Sequence, residues 1–220
     1  MALAIFDLDE TLISSDSDHE WCQFLVNRGL VDPETHNRQS DAFYKQYQLG
    51  ELDIDAYLAF ACSVLTKFSM DELIALRSEF IEEVIKPLIL PRARELIARH
   101  LEAGDYPMVI TSTIEFVTSP IVELFCIETL LAPVPEIIDS RYTGNITGTP
   151  SFGEGKVTRL KQWLGENDEN LSGSYFYSDS HNDLPLLHWV DHPVAVDPDE
   201  KLRAAAKENN WQIISLRGGA

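Results

Sequence analysis

Leu3-Ala4-Ile5-Phe6-Asp7-Leu8-Asp9-Glu10-Thr11 is the stretch on which the fold turns. Leu3 to Phe6 form an unbroken apolar run, which predicts a short strand buried on both faces. Aspartates follow directly at its carboxyl end. Asp-x-Asp pairs recur at Asp16/Asp18, Asp53/Asp55 and Asp197/Asp199, yet only Asp7-Leu8-Asp9 both follows an apolar strand and has a threonine two residues later. Open parallel sheets bind ligands beyond the carboxyl ends of their strands. The rest of the chain therefore has to supply such a sheet, and further polar groups at the same edge.

Downstream of Ser17 the apolar residues Trp21, Phe24 and Leu25 keep a helical spacing, with Gly29 as a stop. Helices are predicted at about 34–48, 54–65 and 70–85. Their capping residues are Asp32 with Pro33 at the first helical position, Asp53, and Ser69 with Glu72. Residues 15–88 thus read as an all-helical block. From Leu90 onward strands and helices alternate: helix 91–103 closed by Gly104, strand 106–111, helix 115–125, strand 128–132, helix 156–164 and strand 174–178. A helix at 184–189, an extended segment at 193–196, a helix at 198–209 capped by Asp197 and a strand at 211–215 complete the series. Arg141 to Thr147 alternates around Gly144-Asn145 and predicts a small hairpin flap, and Gly218-Gly219-Ala220 predicts a loose tail. Alternation of this kind specifies an α/β fold, a doubly wound parallel Rossmann-like sheet. Its core is expected from residues 1–14 and 89–220, with the helical block of 15–88 inserted after the first strand.

The bulk composition agrees with one such unit. The chain has 220 residues, 45% hydrophobic and 24% charged, which is ordinary for a globular protein. Its charge is unusual: 17 Lys and Arg stand against 36 Asp and Glu, a net charge of -19. That field disfavours nucleic acid and anionic membranes as partners. An anionic substrate would need a local cation to overturn it, and a bound metal would serve. Cys22, Cys62 and Cys126 are too few and too scattered for a disulfide framework or a zinc site, and read as buried free thiols in a reducing compartment. The apolar start is too short for a signal-peptide core, and no apolar run approaches the roughly 18 residues of a membrane span. A cytoplasmic location is expected.

Four segments bring polar groups to one sheet edge. Asp7, Asp9 and Thr11 follow the first strand; Thr111, Ser112 and Thr113 follow the second; Ser178, Asp179, Asn182 and Asp183 follow the strand at 174–178. Lys156 is the only basic residue between Arg141 and Arg159, at a predicted helix start where its charge opposes the dipole. Clustered carboxylates are unfavourable without a cation among them, and oxygen-only donors favour Mg²⁺ over zinc.

Asp7-x-Asp9-x-Thr11, Thr111 after a strand, Lys156, and Asp179-Ser180-His181-Asn182-Asp183 together resemble the four-motif signature of the haloacid dehalogenase superfamily. The helical insertion and the Ser180 to Leu187 stretch are similar to the phosphoserine phosphatase-like branch, with its helical-bundle cap, and to histidinol-phosphate phosphatases. The resemblance implies that Asp7 is a nucleophile forming an aspartyl-phosphate and Asp9 the general acid and base. Related ion pumps carry threonine in place of Asp9 and dehalogenases lack the acid, so Asp9 points to hydrolysis of a phosphomonoester. Thr111 and Lys156 would hold the transferring phosphoryl group. Asp7, the main-chain carbonyl of Asp9, and Asp179 would bind Mg²⁺, with Asp183 and Asn182 behind them.

Substrate contacts are expected from Asp16, Asp18, Ser112 and Thr113. Asp16 stands where phosphoserine phosphatases carry a glutamate for the substrate ammonium. Their cap arginine has no counterpart between Lys45 and Lys67, and Ser112-Thr113 replaces their Gly-Gly. A small amino-alcohol phosphate such as histidinol phosphate therefore fits better than phosphoserine. Phosphoserine phosphatase and a phosphotransferase are the alternatives. A non-catalytic binding protein on the same fold would be expected to lack the nucleophile, the acid or the metal carboxylate, all of which are present. Oligomeric state is not encoded in any of these features.

Overall fold

The computed structural model describes residues 2–218, so Gly219 and Ala220 of the expected tail lie outside the described residues. β1 (Leu3–Phe6) is buried at every position. It lies inside a six-stranded sheet of order β3-β2-β1-β6-β7-β8. β2 (Tyr106–Ile110), β3 (Thr129–Leu131), β6 (Tyr175–Ser178), β7 (His192–Val196) and β8 (Gln212–Ile214) complete the sheet, and every pairing in it is parallel. Winding proceeds one way from β1 to β3 and the other way from β6 to β8. The topological switch point therefore falls between β1 and β6, where such sheets open a crevice.

The continuous apolar run of β1 has the expected cause. Ala4 and Phe6 join one apolar cluster, while Leu3 and Ile5 join the cluster on the opposite face. α1 (Ser17–Asn27), α2 (Pro33–Leu49), α3 (Ile54–Leu65) and α4 (Met70–Phe80) follow β1. Their starts are capped by Asp16, Asp32, Asp53 and a Ser69/Glu72 capping box. The predicted helix at 70–85 continues from α4 through a π-helical turn, Ile81–Ile85, into α5 (Lys86–Leu88). Pro87 lacks the N–H that an α-helix would use there, and the chain widens just before it.

The helical block is not separately cored. Trp21, Phe24 and Phe80 belong to the same cluster as Phe6 and Val109 of the sheet. Trp21 meets Phe116 edge-on at 5.7 Å, and Phe116 stands in α7 (Glu115–Glu123) on the other side of the insertion. Pro120 inside α7 leaves the Phe116 carbonyl without its helical donor, and Arg77 Nη1 of α4 donates to it at 2.9 Å. Where the insertion leaves and rejoins the core, Ser14 N–H donates to the Leu88 carbonyl and Leu90 N–H to that of Leu12, and Ile13 bridges Ile89. α6 (Pro91–Glu102), α8 (Glu154–Glu166), α9 (Leu184–Leu187) and α10 (Glu200–Glu208) complete the helices.

Three expectations need correction. The hairpin pairs β5 (Arg141–Thr147) with a strand that was not anticipated, β4 (Val134–Ile138). Its turn is Asp139-Ser140, both at positive φ, rather than Gly144-Asn145; Gly144 lies within β5. Asp199, not Asp197, caps the helix near 200, accepting from Leu202 N–H; Asp197 accepts instead from Leu216 N–H. Cys22 and Cys62 are buried, but Cys126 is exposed. Among the described residues no helix is long and apolar enough to cross a membrane.

Candidate active site

The switch point positions Asp7 at the end of β1 and Asp179 at the end of β6. Asp7 is 5% exposed, and its N–H donates to the Tyr177 carbonyl, which fixes it against the neighbouring strand. Lys156 Nζ donates to Asp7 Oδ1 at 2.8 Å and to Asp183 Oδ2 at 2.7 Å. Ser178 Oγ donates to the same Asp183 oxygen at 2.7 Å. Lys156 is buried in the first turn of α8, and a glycine makes that placement possible. A Cβ on Gly155 would stand 2.0 Å from the Pro150 carbonyl oxygen, so only glycine lets α8 start this close to the preceding loop.

Asp9 sits beside this pair but turns elsewhere. Its Oδ1 accepts from Ser17 N–H at 2.7 Å and its Oδ2 from Thr113 Oγ1 at 2.9 Å. Thr11 Oγ1 donates to Asp179 Oδ1 at 3.2 Å. The Thr111 hydroxyl accepts from Thr113 N–H at 3.2 Å, which leaves its own proton for another acceptor. Ser151 Oγ fastens the Thr111 carbonyl at 2.6 Å. Asp16 Oδ1 accepts from the N–H groups of Asp18 and His19, both at 2.9 Å, and so caps α1. Asn182 Nδ2 reaches the Tyr47 carbonyl at 3.0 Å, and Lys201 Nζ the Leu49 carbonyl at 2.8 Å. These two bonds dock the carboxyl end of α2 beside the site.

The electrostatics are those of crowded acid. Burial pushes the Asp7 carboxyl up to about 7 against the pull of Lys156, with Asp183 and Asp9 adding to the rise. Burial, followed by the charge of Asp16, raises Asp9 to about 6. Asp179 is raised well above the ordinary range by burial and by the charges of Asp7 and Asp183. Burial alone would lower the Lys156 ammonium; Asp183 and Asp7 overturn that and hold it above its usual value. One lysine thus faces several buried carboxylates, and this deficit fits a cation. Among the described residues no three His, Cys, Asp or Glu side chains are grouped tightly enough to hold a metal alone. Asp7 and Asp179, at the ends of β1 and β6, are oxygen donors of the kind Mg²⁺ takes.

Asp7, Asp9, Asp16, Asp18, Ser112 and Thr113 all line one cavity. Its other walls are His19 of α1, Ser40, Phe43, Tyr44 and Tyr47 of α2, and Tyr57 and Phe60 of α3, with no Lys or Arg among the described lining residues. Arg38 is exposed and does not line it. The α2 and α3 side chains were not anticipated: an aromatic residue at helical spacing reads as core. Thr11 and Ser178 did carry a signal, standing within or beside the acidic motifs.

A scan of family models matches residues 4–188 to the haloacid dehalogenase-like hydrolases, and the chain belongs to that family. It is 49% identical over 219 residues to a histidinol-phosphatase of Neisseria meningitidis serogroup C (strain 8013), covering 98% of this chain and 99% of that one. It is 31% identical to phosphoserine phosphatase SerB1 of Mycobacterium tuberculosis (strain ATCC 25618 / H37Rv), covering 98% of this chain and 71% of that one. A solved structure of a protein from Bordetella pertussis Tohama I superposes with a TM-score of 0.92 at 43% identity, covering 98% of both chains. Within the family this chain is a phosphatase.

Proposed function

We propose that this phosphatase hydrolyses a small amino-alcohol phosphate, of which histidinol phosphate is the best candidate, through an aspartyl-phosphate on Asp7 and with Mg²⁺ as cofactor. The observation that carries the reading is the buried Asp7–Lys156–Asp183 array at the switch point, with Asp9 alongside. In this reading residues 15–88 act as a cap over a core of 1–14 and 89–220. Asp7, Asp179 and the Asp9 carbonyl would hold the metal, which when bound supplies positive charge to the phosphoryl oxygens.

An Asp7 carboxylate oxygen forms a bond to phosphorus as the bond to the ester oxygen breaks. Asp9, raised to about 6, gives its proton to the departing alkoxide. Asp9 then takes a proton from water, whose oxygen bonds to phosphorus while the Asp7–phosphorus bond breaks. Inorganic phosphate leaves and both carboxyl groups return to their starting states. Ser17 N–H and Thr113 Oγ1 aim Asp9 throughout. Lys156 neutralises charge on the phosphoryl group, Asp183 and Ser178 hold Lys156, and Thr111 offers its hydroxyl proton. Asn182 steadies the end of α2 over the site.

For the amine, Asp16 is the partner, since only its Oδ1 serves the helix cap. The M. tuberculosis relative named phosphoserine phosphatase supports a second reading, phosphoserine. Among the described residues no Lys or Arg lines the cavity to receive a substrate carboxylate, which favours the first. Free thiols and the acidic surface fit a cytoplasmic enzyme acting on a small metabolite, not on nucleic acid or membranes. The test is phosphate release from a panel of phosphorylated metabolites by wild type and Asp7→Asn, with Mg²⁺ and with EDTA. Release should need both Asp7 and the metal. Asp7→Asn activity within about tenfold of wild type, a barrier change of only ~1.4 kcal/mol, rules out the nucleophile. Phosphate transfer to added alcohols would favour a phosphotransferase.

A further inference from the structure

Asp18 is among the expected substrate contacts, yet no group has been assigned to it. Asp16 caps α1, and Asp9 is held by Ser17 and Thr113. Asp18 occupies the first turn of α1, where an acid ordinarily faces solvent and complements the helix dipole. Here it is 6% exposed and lines the cavity that holds Asp7, Asp9 and Asp16. Tyr57 of α3 lines the same cavity, its hydroxyl acting to lower the Asp18 carboxyl against the rise from burial, and no Lys or Arg stands among the described lining residues. A carboxylate withdrawn this far from water without a cation is unfavourable unless a ligand completes it. Four aromatic side chains from α2 and α3, Phe43, Tyr44, Tyr57 and Phe60, line the same cavity, with Phe43 against both Tyr57 and Phe60. A flat, nitrogen-bearing ring suits such walls, with its N–H directed at the acid.

Resting on the phosphatase reading above, we propose that Asp18 binds a second nitrogen centre of the substrate, an N–H of an aromatic or cationic ring, while Asp16 binds the first. The site then selects phosphate esters with two separate basic nitrogens over those with one. Tyr57 is a positioning residue that aims Asp18.

Three esters separate these roles: an aryl phosphate without a basic nitrogen, O-phosphoethanolamine with one, and histidinol phosphate with two. For wild type with Mg²⁺, kcat/KM should rise along that series. Asp18→Asn should lower the ratio of kcat/KM for histidinol phosphate to that for phosphoethanolamine by about 10- to 150-fold, the range of a charge-assisted hydrogen bond. Tyr57→Phe should lower the same ratio by a smaller factor, and Asp18→Glu should recover part of it. An equal fall for all three esters in both Asp18→Asn and Tyr57→Phe would make Asp18 structural and overturn the inference. Wild type that prefers phosphoethanolamine to histidinol phosphate also overturns it, while the phosphatase reading stands. No turnover of any ester by wild type removes both.

Discussion

Replacing Asp7, the proposed nucleophile, should make the metal-free protein more stable, not less. Asp7 is almost fully buried, and its carboxyl is pushed from 3.8 up to about 7. Burial is the main cause, Lys156 opposes it, and Asp183 and Asp9 reinforce it. In the unfolded chain the same group titrates near 4. Below that pH both states carry the proton and Asp7 imposes no penalty. As pH rises from about 4 to about 7 the unfolded chain gives up its proton first, so folding must hold one and wild-type stability falls. Above about 7 the full penalty is present. Roughly three pKa units at about 1.4 kcal/mol each set an upper bound of ~4 kcal/mol, and neighbouring acids share the strain, so we expect about 2–4 kcal/mol. Asp7→Asn keeps the shape and never ionises. For a chain of this length its Tm at pH 8 in EDTA should exceed that of wild type by roughly 5–15 °C, with the two converging near pH 4. Mg²⁺ should narrow the gap, because it binds the ionised wild type more tightly. Thermal melts followed by circular dichroism at pH 4, 6 and 8, with EDTA and with Mg²⁺, measure this. An Asp7→Asn protein that melts below wild type at pH 8 in EDTA refutes the reasoning.

Two further outcomes follow from the same array. Lys156→Met leaves Asp7 and Asp183 facing each other without their shared cation and should cost about 3–5 kcal/mol by chemical denaturation, a penalty that added Asp7→Asn and Asp183→Asn changes should largely relieve. Asp9→Asn should lower kcat on alkyl phosphates by about 10²–10⁴-fold, and it should also abolish the decline in kcat/KM as wild-type pH rises through about 6, where Asp9 gives up its proton.

The parts of the fold that could be read from sequence are those with local causes. Asp32, Asp53 and the Ser69/Glu72 pair satisfy helix N–H groups within three residues, so their positions announce the helices. β1 was legible because both of its faces are covered and every residue had to be apolar. β4 was not: Pro135 breaks its pattern and Ile137 and Ile138 are exposed, so no burial alternation marks it. The Asp139-Ser140 turn was hidden by the more conspicuous Gly144-Asn145. Asp197 was expected to cap the helix near 200, but it is held by Leu216 N–H just past β8, a contact that no local pattern announces, and Asp199 caps instead. In the site, Asp7, Lys156 and Asp183 could be placed together because each stands at a strand or helix terminus on one sheet edge. Tyr57 and Phe60 could not, because which helix leans over that edge is decided by packing between elements far apart in the chain.

The position of β1 also shapes how the molecule comes together. Leu3 pairs with Tyr106, and Ala4 with Tyr175, so the strand that carries Asp7 finds its first neighbour only after the whole helical block and its second only near the far side of the fold. Closing loops of that size precedes any reward from the contacts they bring, which slows the search. Until both neighbours arrive, an apolar strand with two unsatisfied edges is open to association with other chains. The helical block is tied to its own ends by Ser14 with Leu88 and Leu12 with Leu90, and if these ties form early they would bring Ile13 beside Ile89 and shorten that search. The insertion proposed as a cap would then also act as a chain-shortening clasp for the sheet beneath it.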